Sequence, residues 1–170
     1  EPDFDTPEPV KAAAEAAIRA GFTKYTPSSG IDELRQAIAD KLLTEQGLRY
    51  EKAQILVSCG AKHSLYNVAE ALLEAGDEII IPTPYWVSYA DQALLNDATP
   101  VLLPTREDQD YAINPDELQK LVTPRTKAII VNSPCNPTGA TYDKSTLEAI
   151  ATIAVKHNLL IISDEIYEKV

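Results

Sequence analysis

The apolar positions of the 170-residue chain change their period about a quarter of the way along the sequence. Residues 7–20 have helix-forming composition, and residues 31–46 place apolar side chains at helical spacing, so both ranges are predicted to be helices. After these helices, short apolar runs take over. We therefore expect an N-terminal helical and loop segment over 1–47 and a second domain over 48–170.

The second domain is predicted to alternate strands and helices. The predicted strands are 55–58, 78–81, 99–103, 128–131 and 159–162. The predicted helices are 63–75, 87–96, 114–121 and 144–157, with Asn114–Pro115 as N-cap and first residue of the third. This alternation predicts an α/β fold with three layers, α/β/α, around a mostly parallel sheet. Because the last two strands are continuously apolar, we expect both their faces to be covered.

Charge and composition exclude several classes of function. Fifteen basic and 26 acidic residues give a net charge of −11, which argues against binding to nucleic acid or to an anionic membrane surface. No apolar stretch approaches the roughly 18 residues of a membrane span, and no signal segment opens the chain. Cys59 and Cys135 lack metal-binding spacing, so we predict no metal site and two free thiols, with one disulfide as the alternative. A cytoplasmic protein is expected.

Both ends of the sequence have the composition of interior segments. The chain opens on Glu-Pro-Asp-Phe without a methionine and stops shortly after an apolar run. We therefore expect it to be a piece of a longer protein.

Polar or glycine-rich sequence follows three of the predicted strands, and ligands of open α/β sheets bind at the carboxyl ends of strands. Gly60, Ala61 and Lys62 open a helix whose free N–H groups suit a phosphate, although such a turn is more often an ordinary connection. Asp164 follows an apolar run, where a carboxylate needs a partner such as a protonated ring nitrogen. Tyr167, three residues on, offers a phenol to the same ligand. The alternative for Asp164, and the more usual role of an aspartate that closes a strand, is a helix cap or a loop residue.

Two further residues suit a planar ligand. Two prolines and a glycine fix the backbone around Asn136, which can hold its amide in position to donate to a ligand oxygen. The alternative is a proline-rich surface turn. The cis or trans state of the bonds before Pro134 and Pro137 is left open. Trp86, the only tryptophan, follows a predicted strand and can stack on a ring, although core packing is the usual role of a lone tryptophan.

Six segments together resemble the class I/II aminotransferases of fold type I, which depend on pyridoxal phosphate, and especially the bacterial aspartate aminotransferases. The segments are Glu-Pro-Asp-Phe-Asp-Thr-Pro, Lys-Tyr-Thr-Pro-Ser-Ser-Gly-Ile-Asp-Glu-Leu-Arg, Gly-Ala-Lys-His-Ser-Leu-Tyr-Asn, Pro-Thr-Pro-Tyr-Trp-Val-Ser-Tyr, Asn-Ser-Pro-Cys-Asn-Pro-Thr-Gly and Ser-Asp-Glu-Ile-Tyr-Glu. They occur in family order over nearly the whole chain. The resemblance implies part of the large domain of a fold-type I transferase.

The resemblance also implies a set of residues that bind the cofactor: Gly60, Ala61, Lys62, Trp86, Asn136, Asp164, Tyr167 and, toward the neighbouring subunit of a homodimer, Tyr25. The first three would bind the phosphate, and Tyr25 would reach the phosphate across the dimer. Trp86 would stack on the pyridine ring, and Asp164 would pair with its nitrogen. Asn136 and Tyr167 would bind the phenolic oxygen, and Trp86 and Asn136 would border the substrate.

By the same resemblance, the Schiff-base lysine and two ligand-binding arginines of the family lie beyond Val170. No catalytic lysine is therefore expected in this chain, and Asp164 and Tyr167 only support catalysis. We expect the 170-residue piece to be inactive, to bind the cofactor weakly at best, and to fold poorly unless it dimerises, because the family's sheet takes further strands from downstream.

The resemblance predicts that the whole protein acts in amino-acid metabolism, exchanging an amino group between an L-amino acid and a 2-oxo acid. Aspartate and 2-oxoglutarate are the expected pair. Aromatic, alanine or prephenate aminotransferases and pyridoxal-phosphate lyases share the fold and stay open. The alternative from another class is a non-catalytic, aminotransferase-like ligand-binding module of a transcription regulator.

Overall fold

The structure, a computed structural model, describes residues 4–170 in two compact units, the second of which begins at Cys59. The first three residues of the Glu-Pro-Asp-Phe motif lie outside the described residues. The expected division into 1–47 and 48–170 concerns the domains of the whole protein and stays a prediction.

The described part of the first unit contains two helices, which confirms both helices predicted there. Helix α1 covers Glu8–Arg19 and helix α2 covers Asp32–Gln46. Gly47 ends α2 in the left-handed conformation, with φ of 71°, as a glycine C-cap does. A short 3-10 turn follows at Lys52–Gln54.

The prediction of a strand over 55–58 is wrong. The segment is extended, with φ of −113° and ψ of 127° at Ile55, but no strand of the described residues pairs with it. Its backbone is held instead by a loop, because the Val57 N–H donates to the Ser29 carbonyl at 3.0 Å. An extended apolar segment becomes a strand only where another strand supplies ladder partners, and here none of the four strands does so.

The second unit is built on a four-stranded parallel sheet, which confirms the predicted α/β class. Its strands are β1 (Glu78–Thr83), β2 (Thr99–Pro104), β3 (Thr126–Asn132) and β4 (Leu160–Asp164), in the order β2-β1-β3-β4. Its helices are α3 (Ala61–Leu72), α4 (Ser88–Leu95), α5 (Pro115–Leu121) and α6 (Lys144–His157). A second 3-10 turn covers Glu107–Gln109.

Alternating side chains of the strands build two cores, one on each face of the sheet. On one face, Ile79 and Ile81 of β1 pack with residues of α3 and α4. On the other face, Ile80 packs with Leu118 of α5 and Ile150 of α6. The period of two along a strand sends neighbours to opposite faces. Helices on both faces make the three predicted layers.

The last two strands are predicted to be covered on both faces. This prediction is confirmed for β3 and wrong for β4. Strand β3 is in the interior of the sheet and is buried except at Lys127. In β4, Leu160 and Ile161 are 51% and 42% exposed. The reason is position, since β4 is an edge strand of the described sheet and has a neighbour on one side only.

The structure shows the N-cap of α5 and the state of the proline peptide bonds that the sequence left open. The Asn114 side chain accepts from the N–H groups of Asp116 and Glu117 at 2.9 and 3.3 Å, which confirms the predicted N-cap. The bonds before Pro134 and Pro137 are cis, as is the bond between Thr83 and Pro84.

Candidate functional site

A cavity of about 240 Å³ opens at the carboxyl ends of β3 and β4 in the second unit. Six of the residues that line it are predicted site residues: Ala61, Lys62, Trp86, Asn136, Asp164 and Tyr167. Three further residues complete the lining: Tyr89, Asn132 and Ile166. Side chains separated by more than a hundred positions in the sequence therefore face one small space.

The start of α3 forms one wall of the cavity. Gly60 is its N-cap with φ of 87°, a conformation that favours glycine, and no side chain caps the helix. The Gly60 carbonyl accepts from His63 N and Ser64 N at 3.1 and 3.2 Å, which closes the first turn. From α4, the buried Gln92 amide donates to the Lys62 carbonyl at 3.1 Å and fixes this turn. A fixed, uncapped helix N-terminus offers N–H groups and positive potential to an anion.

The indole of Trp86 forms a second wall. The Lys62 ammonium lies over it, 5.0 Å from the ring centroid, which is within cation–π range. The Tyr89 ring meets it edge to face, with centroids 5.4 Å apart and planes at 83°. Contacts on two sides hold the indole in one orientation.

The carboxylate of Asp164 lies at the end of β4, where the residue is only 9% exposed. One oxygen, Oδ2, accepts from the Tyr89 hydroxyl at 2.6 Å, and Oδ1 accepts from Ile166 N at 3.2 Å. Burial, and then the neighbouring Asp164, raise the pKa of Tyr89 well above its usual range. The phenol is therefore protonated at neutral pH and acts as the donor of this bond.

Asn132 joins the two strand ends that carry Asp164 and Asn136. It is 5% exposed, its Nδ2 donates to the Asp164 carbonyl at 3.0 Å, and its Oδ1 accepts from Asn136 N at 2.8 Å. One buried amide thus sets the spacing between the loop after β3 and the loop after β4. Asn136 itself lies within a turn that is closed by Cys135 N, which donates to the Ala140 carbonyl at 2.9 Å.

Sequence reasoning missed Tyr89 and Asn132. Asn132 directly follows an apolar run, as Asp164 does. A polar residue in that position is the feature that identified Asp164, and the same feature could have identified Asn132. Tyr89 has no such signal, because its role depends on which strand end α4 packs against. The predicted residue Tyr25 belongs to the first unit, where its side chain is fully exposed.

The site combines a buried carboxylate, an aromatic face, an anion-binding helix N-terminus, an amide and a phenol. This set suits a flat heteroaromatic ring that carries a positive charge on nitrogen and a phosphate on an arm. Among the described residues, no cluster of His, Cys, Asp or Glu side chains is arranged to hold a metal ion. Cys59 and Cys135 are both free. No helix within 4–170 is long and apolar enough to cross a membrane.

The fold is that of a transferase domain. The family model for aminotransferase class I and II matches residues 1–170, and the chain belongs to that family. This confirms the resemblance predicted from the six segments. Members of the family depend on pyridoxal phosphate.

Curated relatives match almost the whole chain. An aspartate aminotransferase of Geobacillus stearothermophilus is 49% identical over 169 residues, which are 99% of this chain and 43% of that protein. An aspartate/prephenate aminotransferase of Thermus thermophilus is 47% identical over 168 residues, or 99% of this chain and 44% of that protein. The chain therefore spans less than half the length of these relatives.

Solved structures confirm the fold. A double mutant of the aspartate aminotransferase of Thermus thermophilus superposes with a TM-score of 0.97 at 46% identity, covering 99% of this chain and 44% of that one. An aromatic aminotransferase of Pyrococcus horikoshii gives a TM-score of 0.93 at 47% identity, covering 97% and 44%. The fold is that of the fold-type I aminotransferases.

Proposed function

We propose that the complete protein is an aminotransferase that binds pyridoxal phosphate in the pocket at the ends of β3 and β4. The observation that carries this proposal is the buried carboxylate of Asp164, which faces a cavity between the uncapped start of α3 and the indole of Trp86. A buried carboxylate is costly unless it is paired. A protonated pyridine nitrogen is a partner that this pocket accommodates.

The residues present fit the cofactor chemically. The N–H groups of Gly60, Ala61 and Lys62 would hold the phosphate, because they begin a helix that no side chain caps. Trp86 would lie against the ring. Its contacts with Lys62 and Tyr89 fix the indole in advance of ligand binding.

When bound, pyridoxal phosphate supplies an electron-withdrawing ring to a substrate that loses a proton from its α-carbon. The chain's part is to hold that ring in one plane and one charge state. Asp164 would keep a proton on the ring nitrogen, because an adjacent carboxylate favours the cationic form. The Asn136 amide and the Tyr167 hydroxyl would donate to the phenolic oxygen, and Asn136 and Trp86 would border the amino acid. A fixed ring sets the geometry of proton transfer.

Aspartate and 2-oxoglutarate are the substrate pair that we propose. The names of the curated relatives support it, since they act on aspartate or on aspartate and prephenate. The alternative of a ligand-binding module of a transcription regulator finds no support among these relatives.

We further propose that the covalent attachment uses a lysine outside residues 1–170. Within the described residues, Lys62 is the one lysine that lines the cavity, and it lies in the turn assigned to the phosphate. On this basis the 170-residue polypeptide alone does not transaminate.

A cytoplasmic homodimer is the assembly and location that we propose. The full exposure of the Tyr25 side chain suits a residue that acts in the neighbouring subunit's site. Two free thiols, at Cys59 and Cys135, suit a reducing compartment.

The test compares the full-length wild-type protein with Asp164→Asn, with Asp97→Asn as the control that removes an exposed carboxylate. Pyridoxal phosphate uptake is followed by absorbance, and oxaloacetate formed from aspartate and 2-oxoglutarate is measured. Wild type and Asp97→Asn should bind the cofactor and turn over. Asp164→Asn should lose about a hundredfold or more in kcat, because a charged partner of the reacting system is removed.

Two results would contradict the proposal. One is wild-type protein that neither binds the cofactor nor transfers the amino group. The other is full activity of Asp164→Asn, which would place the ring nitrogen elsewhere. Borohydride reduction followed by peptide mapping tests the attachment site, and labelling of a lysine within 1–170 would overturn that part.

A further inference from the structure

The hydroxyl of Tyr89 makes a contact that the proposed function does not use. Tyr89 is 3% exposed and lies in the first turn of α4, and its hydroxyl donates to Asp164 Oδ2 at 2.6 Å across 75 positions of sequence. Its ring meets Trp86 edge to face. One buried side chain therefore contacts two of the groups that would hold a bound ring.

We propose that Tyr89 is a positioning residue of this pocket, whose hydroxyl locks the Asp164 carboxylate in the orientation that meets the ring nitrogen of the cofactor. The inference rests on the proposed function and deepens it. It assigns to Tyr89 a role that is exerted through the Asp164 carboxylate.

The geometry supports a positioning role because both carboxylate oxygens are held. Ile166 N fixes Oδ1 from the backbone of the following turn, at 3.2 Å, and Tyr89 fixes Oδ2 from across the pocket. With one anchor removed, the carboxylate is free to turn about its terminal torsion, which has a broad, nearly two-fold energy profile. A hydrogen bond from a neutral donor to a carboxylate is among the stronger ones in proteins.

The anchor itself is rigid. Burial in the core between the sheet and α4 and the contact with Trp86 leave the Tyr89 ring little freedom. Tyr89→Phe keeps this ring and removes only the hydroxyl. The variant therefore separates the hydrogen bond from packing.

The experiment measures dissociation constants of the full-length apoprotein for two ligands, by titration of protein fluorescence. The ligands are pyridoxal 5′-phosphate and its 1-deaza analogue, in which a C–H replaces the ring nitrogen. The control variant is Tyr142→Phe, which removes the phenolic oxygen of a half-buried tyrosine that packs on the α5 and α6 side of the sheet. Melting temperatures of all apoproteins are recorded in parallel.

Tyr89→Phe should weaken binding of pyridoxal phosphate about tenfold. At other ligand sites, losing a residue that hydrogen-bonds to a ligand-binding side chain has an effect of about this size. Binding of the deaza analogue should be unchanged, because that ligand gives Asp164 nothing to pair with. Tyr142→Phe should bind both ligands as wild type does. In an Asp164→Asn background, the effect of Tyr89→Phe on pyridoxal phosphate should disappear, since the two side chains act as one unit.

Equal weakening of both ligands by Tyr89→Phe would overturn the inference and show a general structural role. Unchanged binding of both ligands would overturn it as well, while the proposed function would stand. If the wild-type apoprotein binds neither ligand, the proposed function and this inference fail together.

Discussion

The carboxylate of Glu78, the first residue of β1, is almost fully buried at the end of the sheet opposite the pocket. Its Oε2 accepts from the Thr123 hydroxyl at 2.5 Å, and its Oε1 pairs with the Arg125 guanidinium. The Thr123 hydrogen bond, and then the contacts of Arg125, hold the pKa of Glu78 below its ordinary value of 4.5. Its ionised form is thus stabilised by folding.

We expect Glu78→Gln to lower the stability of the full-length protein by about 2 kcal/mol at neutral pH, since a hydrogen-bonded buried charge is lost. Because the folded pKa lies below the unfolded one, this contribution is fully present above the unfolded pKa and disappears as the pH falls through the folded pKa. Melting temperatures of wild type and variant should therefore converge in acid. The exposed Glu107→Gln is the control, and a gap that persists unchanged at low pH would refute the assignment.

Some residues of the pocket could be predicted from the sequence because of the residues that flank them. Asp164 and Asn136 stand beside apolar runs or prolines, where a polar side chain is conspicuous from its neighbours alone. Tyr89 is an ordinary aromatic residue in an apolar stretch. Its hydroxyl gains a role only when α4 packs over the sheet and brings it to Asp164.

At the scale of elements, the loop before α2 depends on a glycine. Gly30 has φ of 99°, and a Cβ there would lie 2.7 Å from Val57 Cγ2 and 2.8 Å from Val57 Cβ. Gly21 has φ of 78° and open space around it. Both positions strain an alanine backbone, but only Gly30 adds a collision with the segment that follows the 3-10 turn.

Gly30→Ala should therefore destabilise the full-length protein by about 3 kcal/mol, from backbone strain and overpacking together. Gly21→Ala should cost about 1 kcal/mol, from backbone strain alone. Comparing the thermal unfolding of the two variants with that of wild type gives the measurement. In Gly30→Ala/Val57→Gly, which removes both colliding atoms, part of the loss should return. Equal melting temperatures for the two single variants would argue against the close contact.

Helices were easier to predict than strands for a physical reason. The sequence features that predict α2, α5 and α6 belong to each segment itself. They are the helical spacing of apolar residues, an N-cap residue or a terminal glycine. A strand depends on its neighbours. Residues 55–58 and β4 have similar apolar sequence, yet β4 pairs with β3 and 55–58 pairs with no strand of the described residues.

At the scale of the whole molecule, the pocket follows from the parallel topology. Strands β3 and β4 are adjacent and end at the same edge of the sheet, with Asn132 opposite Asp164 in register. The sequence predicted a ligand site at the ends of three strands, and two of the three segments do follow strands, β3 and β4. It carried no information on the order β2-β1-β3-β4, which decides which ends become neighbours.

The proposed dimer leads to a prediction that separates residues acting within a subunit from those acting across the interface. If Tyr25 acts in the neighbouring site, a hybrid of Tyr25→Phe and Asp164→Asn subunits has one site with both defects and one intact site. Equimolar mixing with free subunit exchange makes about half of the dimers hybrid and restores about a quarter of wild-type activity.

Mixing Asp164→Asn with Asn136→Ala should restore none, since both act in their own subunit and each hybrid site keeps one defect. Activity is assayed after exchange, with size-exclusion chromatography and light scattering to verify the dimer. No recovery in the first mixture would show that Tyr25 does not act across the interface. Recovery in the second mixture would show that one of Asp164 and Asn136 does not act in its own subunit.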